Sequence, residues 1–120
     1  MWPFSRQPSG NAHASGKVTG VGVREVQSRM RRGAKLVDVR SEREFRALHP
    51  KGALSVPPAR IKADAVGLDR DAEILVICLS GRRSRREAQR LKRLGYTNVT
   101  DVLGGMEDWV KFGLPVMRSR

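Results

Sequence analysis

One residue in this chain of 120 is a cysteine, Cys78, and it is followed by Leu79, Ser80, Gly81, Arg82, Arg83 and Ser84. A thiolate is a strong nucleophile and needs no separate base once it is ionised. Gly81 permits a positive φ, which lets successive backbone N–H groups converge on the sulfur or on an anion above it. Arg82 and Arg83 add planar guanidinium forks that suit oxyanions. The chemistry written into this loop is attack by sulfur on an anionic substrate held over the same loop. Because Cys78 is the sole cysteine, an intramolecular disulfide and a metal site of clustered thiolates are both excluded. The same residues also admit a plainer reading, in which Cys78 is a small core residue at a strand end beside a solvated basic helix.

The flanking segments decide whether such a loop is placed to act. Glu73 to Cys78 contains four consecutive apolar residues, Ile74, Leu75, Val76 and Ile77, which predicts a strand buried on both faces, as in the middle of a parallel sheet. Ser84 to Leu94 is expected to be a helix with Ala88, Leu91 and Leu94 facing inward and Gly95 ending it. Cys78 then sits at the carboxyl end of a central strand, where α/β sheets bind ligands. The following helix presents free amides and roughly half a positive charge toward the sulfur. Functional use of the thiol requires that it be charged at neutral pH and within reach of solvent.

Other elements alternate in the same way. Val23, Val26 and Met30 predict a helix closed by Gly33; Lys35 to Val39 predicts a strand. Ser41 and Glu44 form a capping box for a short helix through about Ala47. Ala53 to Val56 reads as a strand stopped by Pro57 and Pro58, and residues 60 to 68 as a weak helical turn. Asn98 to Val102 is a last strand, followed by a helix with Met106, Trp109 and Val110 on its inner side. Alternating strands and helices define an α/β domain with a small, mostly parallel central sheet flanked by helices on both faces.

Residues 1 to 20, with three prolines or glycines before residue 11 and no acid, are expected to form a flexible tail ahead of a domain over 21 to 120. The chain holds 24 Lys and Arg against 12 Asp and Glu, a net charge of +12, which favours anionic partners without choosing among them. The helix after the cysteine is strongly basic, but few aromatics and no nucleic-acid motif accompany it, so no nucleic acid is expected. No apolar run approaches membrane-spanning length and no signal sequence follows Met1; neither membrane association nor export is expected, and the default location is cytoplasmic.

Four blocks in order make the chain, from about residue 20 to 116, resemble a single-domain rhodanese. They are Asp38-Val39-Arg40; Glu44-Phe45 with His49 and Gly52-Ala53; the Cys78 loop, with glycine three, arginine five and serine six residues after the cysteine; and Leu103-Gly104-Gly105 with Trp109. The resemblance implies a thiosulfate-type sulfurtransferase. Cys78 is then the catalytic residue, taking up a sulfane sulfur as a persulfide, and Leu79, Ser80, Gly81, Arg82, Arg83 and Ser84 form the substrate-binding loop. Asp38 and Arg40 support the loop as a charge pair, His49 is bonded to backbone in a turn, and Trp109 packs the last helix. The implied partners are a small anionic sulfur donor and an external acceptor: a thiol, cyanide or a protein sulfur carrier. No cofactor is implied. Related phosphatases and arsenate reductases have a loop one residue longer between cysteine and arginine, so phosphatase activity is a minor alternative. A non-enzymatic binding or sulfur-sensing module is the other.

Overall fold

The computed structural model describes residues 18 to 119. Its centre is the strand whose unbroken apolar run predicts it, β5 (Glu73–Ile77), in which the side chains of Ile74, Leu75, Val76 and Ile77 are all fully buried. It lies between β2 (Lys35–Asp38) and β6 (Asn98–Leu103). The edges are β1 (Thr19–Gly22) beside β6 and β4 (Leu54–Ser55) beside β2, giving a five-stranded sheet of order β1-β6-β5-β2-β4 in which every pair is parallel.

Alternation along the strands splits the core in two. Ile74, Val76 and Cys78 point to one face and pack with Ile61 of α3 (Pro58–Lys62) and with Ala88 and Leu91 of α4 (Arg82–Arg93). Leu75, Ile77 and Leu36 point to the other face and meet Val26 of α1 (Val26–Arg31) and Met106 and Trp109 of α5 (Gly105–Lys111). Helices therefore cover both faces, as expected. A short α2 (Glu42–Ala47) begins with the capping box read from Ser41 and Glu44: the Glu44 amide donates to Ser41 Oγ at 3.1 Å, and the Ser41 amide donates to Glu44 Oε1 at 3.1 Å.

Several expectations need correction. The sheet begins at Thr19, which pairs with Thr100, so Thr19 and Gly20 belong to the domain and not to the tail; the rest of the proposed tail lies outside the described residues, apart from Val18. The first helical segment is a 3-10 turn, Val23–Glu25, running into α1, because Gly22 offers no side-chain cap for a longer helix. The helical turn expected over 60 to 68 is α3, shifted forward because Pro58 at its first position is preorganised for helix initiation. Val110 is 52% exposed; the inner face of α5 is completed by Met106 and Trp109, whose indole Nε1 donates to the Pro115 carbonyl at 2.8 Å. A two-stranded antiparallel ribbon, β3 (His49–Pro50) with β7 (Val116–Met117), has no counterpart in the sequence reading, since strands of two residues carry no period.

Candidate active site

From β2 the chain passes outward to β4, and from β5 it passes the opposite way to β6, so the crevice between the carboxyl ends of β2 and β5 is where the connections diverge. Asp38, Arg40 and Cys78 meet there.

Two glycines shape the loop. Gly81 has φ +96° and is the N-cap of α4, which therefore starts at Arg82, two residues before the start read from the sequence. Gly105 has φ +55°, and a Cβ there would collide with the carbonyl oxygens of Cys78 and Leu79. Those carbonyls are turned toward α5: the Met106 amide donates to Cys78 O at 2.8 Å and the Glu107 amide to Leu79 O at 3.0 Å. With its carbonyls engaged by the N-terminus of α5, the loop is free to turn an amide toward the sulfur. The Gly81 N–H donates to Cys78 Sγ at 3.1 Å. It is the one amide of residues 79 to 84 bonded to the sulfur, where the sequence suggested several.

The thiol is not within reach of solvent: Cys78 is 0% exposed and part of the α3/α4 core. The expectation of an accessible sulfur is therefore overturned. The reason is geometric, since Cys78 is the third in the alternating series Ile74, Val76, Cys78 that points under α4. Beneath the loop the thiol donates to Ser84 Oγ at 3.3 Å, and Ser84 in turn donates to Asp101 Oδ1. Asp101 is 3% exposed, and desolvation pushes its carboxyl above the usual range, partly offset by the Ser84 bond and by Arg85. Sequence reading missed Asp101, which lies inside β6; the signal available was one acid between Val99 and Val102 in a segment read as a strand.

The other named residues divide into rim and support. Leu79, Ser80 and Arg82 are exposed at the mouth, and Arg82 has no ion pair among the described residues. Arg83 is held by Glu44, Nη1 to Oε1 at 3.1 Å and Nη2 to Oε2 at 3.2 Å, a fork-to-fork pair. That guanidinium, chiefly, lowers the Glu44 carboxyl to about 2. Glu44 thus joins α2 to the rim, a role that the capping-box reading did not contain. Asp38 and Arg40 do form a pair: the Arg40 backbone amide and Nε reach Oδ1 at 3.0 Å each, and Nη2 reaches Oδ2 at 2.8 Å and the Leu48 carbonyl at 2.6 Å. The pair ties the end of β2 to the end of α2, and none of its hydrogen bonds goes to residues 79 to 84. His49 is buried, stacked on Phe45 at 3.8 Å between centroids, with Nδ1 2.7 Å from the Phe45 carbonyl.

A family model described as a rhodanese-like domain matches residues 23 to 112. The chain belongs to the rhodanese-like family. Within it, the thiosulfate sulfurtransferase GlpE of Haemophilus influenzae is 37% identical over 87 residues, covering 72% of this chain and 83% of that protein. The adenylyltransferase and sulfurtransferase UBA4 of Candida albicans is 37% identical over 82 residues, and there the match spans 62% of this chain but 19% of the larger protein. Among solved structures, a rhodanese-related protein from Thermoplasma volcanium superposes with a TM-score of 0.74 at 26% identity, over 82% of this chain and 97% of that one. The rhodanese-like fold and the α/β class expected from the sequence are those of these relatives. Among the described residues no helix is long and apolar enough to cross a membrane.

Proposed function

We propose that this rhodanese-like chain is a thiosulfate-type sulfurtransferase that carries a sulfane sulfur on Cys78. The carrying observation is the sulfur's position: at the end of the central strand, with the Gly81 amide on it and α4 beginning four residues later. The name of its GlpE relative supports the same donor class.

In the proposed reaction the anionic donor docks at the basic rim. Arg82 is the unengaged guanidinium for its sulfonate, and Arg83 stands beside it already oriented by Glu44. The Cys78 thiolate attacks the outer sulfur, an S–S bond forms, and sulfite leaves with the electron pair of the broken bond. The persulfide anion is stabilised by the Gly81 amide and the positive end of α4, fixed dipoles that need no reorganisation as charge develops. Attack on the terminal sulfur by cyanide, a small thiol or a protein acceptor returns Cys78. Because the thiol is covered, entry of the donor requires the segments packed over it to move. The acceptor comes from outside the domain, since no second cysteine exists to resolve the persulfide.

Mass spectrometry after incubation with thiosulfate tests this reading. One sulfur atom should be gained on Cys78, and none in Cys78→Ser. Absence of that gain, together with turnover of an aryl phosphate, would overturn it in favour of phosphatase chemistry. The complete burial of Cys78 favours one second reading, a module that binds a partner or senses sulfur without turnover. Sustained thiocyanate release from thiosulfate and cyanide excludes it.

A further inference from the structure

Two carboxylates are buried near the cysteine, and they are compensated differently. Asp38 is fully buried and receives the Arg40 guanidinium through three side-chain contacts. Asp101 is nearly as buried, has no ion pair among the described residues, and is satisfied by the hydroxyl of Ser84. A hydroxyl has one proton to give. Ser84 gives it to Asp101, so the Ser84 oxygen faces Cys78 as an acceptor and takes the thiol proton. In this arrangement the sulfur is held as a thiol. A thiolate would lie two hydrogen bonds from a carboxylate in a low-dielectric interior and would receive nothing from Ser84.

We propose that Asp101 is a positioning residue that governs the charge on Cys78 through Ser84: sulfur and carboxylate share one proton, and the sulfur becomes anionic as Asp101 becomes neutral. The step balances without any co-reactant. The S–H bond breaks and its proton passes to Ser84 Oγ, while the Ser84 hydroxyl proton passes to Asp101 Oδ1; one negative charge is present before and after. Afterwards the thiolate receives both the Ser84 hydroxyl and the Gly81 amide at the positive end of α4. The uncharged carboxyl is left where burial favours that form, against the weaker opposing pull of Arg85. A persulfide, which fixes negative charge at the sulfur, favours the neutral carboxyl by like-charge repulsion and holds the pair in that state.

The charges around the pair leave it as the variable element. From α4 come Arg82, Arg83, which is bound to Glu44 of α2, and Arg85, which faces Asp101; Glu87, on the same helix, lies against Arg90. The end of β2 brings Asp38 and Arg40, which neutralise one another. From α3 come Lys62 and Arg60, the latter held by the carbonyls of Ser55 and Ala65. The first turn of α5 brings Glu107 and Asp108 beyond the loop. The strand neighbours of Asp101, Gly20 on β1 and Val76 on β5, have no titratable group.

The inference rests on the sulfurtransferase reading for what the charged sulfur is used for, but its test needs no sulfur donor. With one cysteine in the chain, the ultraviolet absorbance of the thiolate followed against pH, taken as the difference from Cys78→Ser so that Tyr96 cancels, reports Cys78 alone. Asp101→Asn keeps the shape and removes the competing charge. Its thiolate midpoint should fall by about one pH unit or more, roughly a tenfold rise in thiolate wherever the thiol form dominates. Adding Ser84→Ala to Asp101→Asn should raise the midpoint again, because the hydroxyl donor is lost. If the asparagine chain does not fold, Asp101→Ser removes the same charge and should shift the midpoint the same way. An unmoved or higher midpoint in a folded, charge-free variant overturns the proposal; a residue that only packs would change the melting temperature and leave the titration in place. Loss of persulfide formation in the unaltered chain would instead overturn the sulfurtransferase reading and leave this one standing.

Discussion

Replacing Arg40 by methionine keeps most of the side-chain volume but strips the guanidinium from a carboxylate that is fully buried. In the native chain Asp38 receives Nε and Nη2, and the same guanidinium satisfies the Leu48 carbonyl. Arg40→Met leaves Asp38 with its backbone partner, the Arg40 amide, and leaves Leu48 O without this donor. Breaking one partner of a buried ion pair costs about 3–5 kcal/mol, because the surviving charge is stranded. Domains of this size are stable by about 5–15 kcal/mol, so the loss is a large share of the total. At roughly 4–8 °C per kcal/mol, the melting temperature should fall by more than 10 °C. Urea unfolding followed by circular dichroism measures the difference directly. Asp38→Leu combined with Arg40→Met should recover much of the loss, since both charges are then gone. A cost below about 1 kcal/mol for Arg40→Met, the range of exposed pairs, would refute the reasoning.

Two further outcomes follow from the loop geometry. Glu44→Gln preserves the capping box, which accepts glutamine, and removes the charge opposite Arg83; the half-exposed pair should be worth about 0.2–1 kcal/mol. Since Glu44 is held at about 2 against an ordinary 4.5, that difference should be fully present above pH 4.5 and vanish as the pH falls toward 2. Stability curves of the two chains that stay parallel down to the acid limit would contradict the assignment. Gly105→Ala meets the backbone carbonyls of Cys78 and Leu79 at φ +55°, whereas Gly33→Ala, at φ +106°, meets open space. Gly33→Ala should cost about 1–2 kcal/mol from backbone conformation alone and Gly105→Ala clearly more, with altered thiolate absorbance; equal melting temperatures would show that the α5 contact does not hold the loop.

Local signals carried most of the architecture. The apolar run of β5 required burial on both faces and hence a parallel sheet; Ser41 and Glu44 stood three residues apart and capped α2; the cysteine at a strand end, ahead of a glycine and a basic helix, marked the candidate site. Each of these is a contact between near neighbours in the chain or a solvation preference of one segment, so residue order alone specifies it. What depended on distant partners was decided by tertiary structure. Thr19 joins the sheet because Thr100 is there to pair with it. The two-residue strands at His49 and Val116 exist only against each other. Arg83 is turned to Glu44 instead of standing free, and the loop carbonyls are capped by α5. Above all, the strand alternation that places Cys78 under α4 also places Asp101 there, on the neighbouring strand, and Ser84 bridges them. Whether a thiol is exposed, and which group competes for its proton, is fixed by what the folded chain packs over it, because desolvation and hydrogen-bond partnership belong to a place in space and not to a position in sequence.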